Sequence, residues 1–253
     1  MIREIGKFIV LTFLTSWILW GLLVVLSQLK ILNYGAPLFM IIFILGGNAP
    51  AFSEIWIRKH TCNKKEYRTF LKNIINPKHH LLWYVFIIVV ILMNSLVQLI
   101  IPNGISNVVL KNPFYYAIIS LPIMIIGGGF EEIGWRGFLQ PSLEKYLSPF
   151  LSTLIIGIIW AIWHLPLWFI AGTNQANITF FSFFINALAL AFILAIVYQG
   201  TKSIFMCIIC HALINSFIEI FAWSNNIIGN ISVLLIDIII FILFQHFRKS
   251  IEI

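Results

Sequence analysis

The chain has 253 residues, of which 60% are hydrophobic and only 10% charged, with a mean hydropathy of +0.99. Water-soluble domains carry about a quarter charged residues, so these values exclude a soluble enzyme or binding module and define an integral membrane protein. The formal charge of +7 reads as a topology signal with some attraction to anionic lipid, and nucleic-acid binding is set aside.

Eight apolar runs, at about 8–27, 36–57, 81–101, 114–130, 150–171, 178–199, 203–223 and 227–247, predict eight spanning helices, since a helix needs roughly 20 apolar residues to cross the hydrocarbon. Helices rather than barrel strands follow from the run lengths, because each helix satisfies its own backbone within lipid. The expected fold is therefore all-α, a polytopic membrane helix bundle forming one domain over residues 1–253 with no soluble module. The first run follows Arg3 and Lys7 as a signal peptide would, but it exceeds the usual apolar core of roughly 7–15 residues and lacks an A-x-A cleavage site. It is read as a retained anchor.

Between the second and third runs lies the longest polar stretch, RKHTCNKKEYRTFLKNIINPKHH, a loop or surface helix. Lys and Arg stay on the cytoplasmic side. With both termini cytoplasmic, that side holds fourteen of the sixteen basic residues, and only Lys30 and Lys111 fall outside.

The fourth run leads into GGGFEEIGWRGFLQ, where Glu131, Glu132 and Arg136 stand at the end of an apolar helix. A charge at the bilayer centre costs about 2.5–3.5 kcal/mol or more, so the cluster needs either an ion-pairing or a chemical reason. Glu132 and Arg136 are four residues apart and can pair on one helix face, whereas Glu131 is rotated by about 100° and is the acid free to act elsewhere. Gly127, Gly128 and Gly129 supply a break or a close-packing point; the lysine and Ser/Thr of a phosphate loop are missing.

The fifth run ends in WAIWHLPLWF, with His164 between Trp160 and Trp168, and Pro166 predicts a kink beside the imidazole. The seventh contains CIICHALIN. Its C-x-x-C-H spelling matches covalent haem attachment, but Cys207 and Cys210 lie inside an apolar run near Lys202, so they are read as small buried hydrophobes. His211 and Asn215, four apart, share one helix face. Glu219, one turn on, is read as an interfacial residue and not part of the site, and Asp237 has no aspartate partner in another run.

Two glutamates, an arginine, two histidines and an asparagine on three helices form a set suited to activating water: a carboxylate takes a proton, an imidazole holds the water and polar donors stabilise an oxyanion. No G-x-S-x-G and no H-E-x-x-H is present. A small membrane transporter is a competing class, but its polar residues would line a path through the whole bilayer, whereas these cluster towards one side.

EEIGWR, WAIWH and HALIN together resemble the E-E-x-x-x-R, F-x-x-x-H and H-x-x-x-N motifs of the CAAX protease and bacteriocin-processing family of intramembrane endopeptidases, which includes the type II CaaX prenyl endopeptidases. The similarity in order and spacing covers residues 114–224, with Trp160 in place of the usual phenylalanine as an aromatic wall; the N-terminal third offers no distinctive match. The resemblance implies a cell-membrane, multi-pass protease with its site towards the cytoplasm. Glu131 would be general base, His164 its partner on the attacking water, and His211 and Asn215 the oxyanion donors, with Glu132 and Arg136 in support. Glu131, His164 and His211 would also make a ligand set for a divalent metal such as zinc. They lack compact metalloprotease spacing, and the reading adopted is the metal-free glutamate mechanism.

Expected partners are membrane lipid and a peptide or a prenylated or lipid-associated protein substrate. The Ile-, Lys- and Asn-rich composition suggests an AT-rich bacterial genome, which favours peptide maturation or bacteriocin self-immunity over prenyl processing. A non-catalytic immunity or scaffold protein of the same family is the alternative.

Overall fold

The computed structural model describes residues 2–103, 110–221 and 226–251. Helices follow one another along the chain: α1 (Ile2–Gln28), α2 (Pro37–Gly47), α3 (Ala49–Thr61), α4 (Lys64–Ile74), α5 (Leu81–Asn103), α6 (Tyr116–Gly127), α7 (Glu132–Gly134), α8 (Gln140–Leu143), α9 (Pro149–Trp163), α10 (Phe180–Thr201), α11 (Ile204–Ile218) and α12 (Ile227–Ile251). Among the described residues the β-structure is one isolated antiparallel bridge, Leu110 to Phe221. The chain is thus an all-helical, multi-pass membrane protein.

Length and composition give six spans rather than the expected eight: Ile2–Gln28, Leu81–Ile101, Tyr116–Leu143, Pro149–Phe169, Phe180–Thr201 and Ile227–Arg248. A seventh is reached only if α2 and α3, bent by 52° at their junction, count as one broken span. The helix α11 has 15 residues, about 22 Å of rise against a hydrocarbon core of about 30 Å. Hydropathy alone runs through the bend and past the end of α11, which is why the sequence showed two more full crossings.

The bend at Asn48 follows from Pro50. Proline has no N–H to give the carbonyl four residues back, and Gly46 O instead accepts from Ser16 Oγ of α1 at 2.7 Å. The Asn48 carboxamide donates to Ile44 O and to Ile126 O, both at 2.8 Å, and so ties the break to the end of α6. Ser16 Oγ in turn accepts the Trp163 indole N–H at 2.7 Å, and the Trp17 indole donates to Trp163 O at 3.0 Å. These pins hold α1, α2 and the end of α9 together around a core that includes Phe8, Trp20, Trp135 and Trp163.

Inside that arrangement α10 packs between α9 and α12. Gly157 of α9 makes the approach possible, since a Cβ there would sit 2.9 Å from Leu188 Cδ2 and 3.1 Å from Ala191 Cβ. Small residues at helix crossings serve this purpose in membranes, where no hydrophobic drive brings helices together. The polar stretch after α3 forms α4, started by an Asn63–Glu66 capping box, and its Phe70 and Ile74 pack with Ala51, Ile133, Ile204 and Ile208.

Two further polar contacts cross the bundle. Asn94 of α5 donates to Asp237 of α12 at 3.1 Å, so the partner of this fully buried acid is an amide. Gln98 of α5 donates to Asn186 of α10 at 3.0 Å. Glu219 pairs with Lys111 at 3.1 Å in an exposed contact, in keeping with a residue at the edge of the bundle.

Candidate active site

The segment carrying the paired glutamates changes helix type several times. After Gly127 ends α6, Gly129–Glu131 forms a 3-10 turn, α7 follows for one turn, Trp135–Leu139 is a π-turn, and α8 resumes. Such π-turns inside helices are frequent at functional sites. Residues 131–140 are buried throughout, within the continuous helical run Tyr116–Leu143. The acids thus stand just past the last residue of α6, as the sequence places them at the end of an apolar helix, and they are buried among neighbouring helices, where every charge needs a partner.

Glu132 has two. Its Oε2 lies 3.0 Å from Arg136 Nε, an ion pair off the hydrogen-bond line, and its Oε1 lies 2.9 Å from His211 Nδ1. Arg136 continues to Gln140 Oε1 at 3.4 Å, Gln140 donates to Glu144 at 2.8 Å, and Gln199 donates to the same Glu144 oxygen at 2.5 Å. Gln245 of α12 closes the chain on Gln199. One polar chain thus links α11, the central segment, α10 and α12.

Glu131 faces another way. Its Oε2 accepts the indole N–H of Trp160 at 2.7 Å, which places the carboxylate against α9. His164, one turn beyond Trp160, is the C-cap of α9, and Pro166 ends the α-helix in a 3-10 turn, Leu165–Phe169, where a kink was expected. The His164 amide pairs with Ala161 O at 3.3 Å, three residues back. Trp160 O, the acceptor it would have had in a continuing helix, takes the His164 imidazole instead, with Nδ1 at 2.9 Å. A carbonyl can only accept, so Nδ1 carries the proton, and in the neutral ring Nε2 keeps a lone pair. Trp20, Trp163 and Phe183 complete the walls around this ring.

His211 and Asn215 come from α11, one turn apart and on one face. Gly128 shows where they meet: a Cβ on it would lie 2.5 Å from Asn215 Nδ2 and 3.4 Å from His211 Nε2. A Cβ on Gly129 would lie 2.9 Å from Ile208 O, so the glycines both break α6 and let α11 approach. The Trp160 ring also stands edge-on to His211, with centroids 5.5 Å apart. Glu131, His164, His211 and Asn215 are thereby gathered around one tryptophan and one glycine, with Glu132 and Arg136 behind His211.

Sequence reasoning missed the contribution of the N-terminal third. The α2–α3 bend holds the segment through Asn48, and Pro50 meets Gly134, where a Cβ would fall 2.5 Å from Pro50 O. Arg58, paired to the buried Glu54 at 2.6 Å, reaches Gly137 O at 3.4 Å. The signal was present as N-A-P inside an apolar run, but its meaning depended on a segment about 80 residues away. Among the described residues, no three His, Cys, Asp or Glu side chains are grouped to hold a metal ion, Glu131, His164 and His211 included.

Fold and site together define a polytopic helical membrane protein with a buried acid–imidazole centre. A family profile described as "Type II CAAX prenyl endopeptidase Rce1-like" matches residues 113–217. CAAX prenyl protease 2 of Methanococcus maripaludis is 30% identical over 232 residues, which span 85% of this chain and 84% of that protein. Lysostaphin resistance protein A of Staphylococcus haemolyticus is 26% identical over 156 residues, 53% of this chain and 41% of that one. The chain belongs to the Rce1-like CAAX prenyl endopeptidase family, a family of membrane proteases.

Proposed function

We propose that the protein hydrolyses a peptide bond of a membrane-associated substrate with water activated between Glu131 and His164. The single observation that carries this reading is the convergence of the three motifs on Trp160 and Gly128, with Glu131 Oε2 on the Trp160 indole at 2.7 Å and His164 Nδ1 on the carbonyl of the same residue at 2.9 Å. His164 Nε2 accepts a hydrogen bond from the water, Glu131 takes its proton, and the hydroxide attacks the scissile carbonyl carbon. The oxyanion that forms is met by Asn215 Nδ2 and by His211 Nε2, both beside Gly128. His211 donates from Nε2 only when doubly protonated, and the Glu132 carboxylate at 2.9 Å is the counter-charge such an imidazolium requires. Collapse breaks the C–N bond, and Glu131 returns its proton to the leaving amine. In this reading the site opens towards the cytoplasmic face of the cell membrane.

The family favours a prenylated or otherwise lipid-held peptide as substrate, which turns the composition-based preference for bacterial peptide maturation towards CaaX-type processing. Purified protein in phospholipid nanodiscs is to be given an internally quenched, farnesylated CaaX peptide. The wild type cleaves it, and Glu131→Gln loses about 10²–10⁴-fold in kcat, the usual contribution of a general base. A Glu131→Gln variant as active as the wild type sinks the mechanism.

The partial similarity to a lysostaphin resistance protein supports a second reading, a protein that confers resistance without catalysis. A phenotype restored by Glu131→Gln in a deletion strain would favour it.

A further inference from the structure

We propose that Trp160 is a positioning residue that sets the spacing between the general base and its imidazole partner. This rests on the hydrolytic reading of the site. Trp160 is buried and uses its two polar groups on two different members of the pair: the indole N–H goes to Glu131 Oε2 at 2.7 Å, and the backbone carbonyl goes to His164 Nδ1 at 2.9 Å. Each contact removes a freedom that catalysis would otherwise have to remove. The indole bond fixes which carboxylate oxygen faces α9. The carbonyl bond fixes the imidazole tautomer and turns Nε2 towards the water.

The carbonyl is available only because α9 ends here, and the indole sits on the same residue. The acid and the imidazole are therefore both tied to one residue. The ring is also edge-on to His164 and to His211, with centroids 5.3 and 5.5 Å away, so its shape and its donor are separate properties. A phenylalanine keeps most of the first and loses the second; the aromatic-wall reading of this position covers only the shape.

Two replacements separate these properties. Trp160→Phe removes the N–H with part of the ring, and 3-benzothienylalanine placed at position 160 by site-specific incorporation exchanges the N–H for sulfur at nearly constant shape. With the farnesylated quenched peptide in nanodiscs, both are expected to lower kcat by roughly tenfold or more, as for loss of a hydrogen bond to a charged group. KM should stay within about twofold and the elution profile should not change. In a Glu131→Asp background, whose shorter carboxylate withdraws from the indole, the benzothienyl exchange should cost little more.

Parent-like kcat for the benzothienyl protein overturns the proposal, whatever the phenylalanine variant does, because ring shape would then suffice. If Trp160→Phe does not fold, the benzothienyl protein alone decides. If Glu131→Gln is as active as the wild type, or the wild type leaves the peptide intact, the hydrolytic reading itself falls. If Glu131→Gln is inactive while the benzothienyl protein is unimpaired, only the positioning role falls.

Discussion

A missing side chain shapes the site as much as the polar ones do. At Gly128 the Cβ that any other residue would carry falls 2.5 Å from Asn215 Nδ2, at the end of a flexible side chain rather than against backbone. Gly128→Ala is therefore expected to fold, because Asn215 can swing aside, and to lose catalysis, because Asn215 would then leave the place at which it is proposed to meet the oxyanion. A misplacement of about 1 Å costs on the order of 10²-fold. Turnover of the quenched peptide should fall by about that factor while the thermal midpoint in detergent moves by only a few degrees; equal turnover would show that Asn215 does not need its present position.

Elements are held by a different currency, backbone against backbone. The single turn α7 lies on α3 at Gly134, where a Cβ would come within 2.5 Å of Pro50 O and 2.7 Å of Pro50 C. Neither atom can move without shifting the bent pair that Asn48 ties to α6. Gly134→Ala is expected to destabilise by about 1–3 kcal/mol, as overpacking does. Gly127, the last residue of α6, has nothing within 4 Å of its Cβ position, and alanine there should gain up to about 1 kcal/mol in helix propensity. Thermal unfolding of the two purified variants should move in opposite directions; the same sign for both would mean that α7 is not seated on α3 as described.

For the molecule as a whole, charge asymmetry makes the prediction. Lys111 pairs with Glu219 at one edge of the bundle, while Lys65 stands at the start of the polar α4. By the positive-inside rule α4 is expected in the cytoplasm and Lys111 outside. In a Cys62→Ser background, a membrane-impermeant thiol reagent applied to intact cells is expected to label Lys111→Cys and to reach Lys65→Cys only after permeabilisation. Cys207 and Cys210 are fully buried and should stay silent. The reverse pattern would invert the topology and move the α4 side of the protein out of the cytoplasm.

What the sequence determined by itself was what is local. Hydropathy over about twenty residues specified a helical membrane bundle, and the residue types in EEIGWR, WAIWH and HALIN specified a carboxylate, two imidazoles and an amide, because neither property depends on what lies beyond the segment. The division between Glu131 and Glu132 was also legible, since residues adjacent on a helix point about 100° apart. Tertiary structure decided the rest: that Asn48 and Pro50 break one apparent span to cradle another, that His211 leans on Glu132, that Asp237 is met by Asn94, and that Trp160 offers a donor where only a wall was expected. Each of these joins atoms from helices far apart in the chain, and such distances are fixed only when the helices pack.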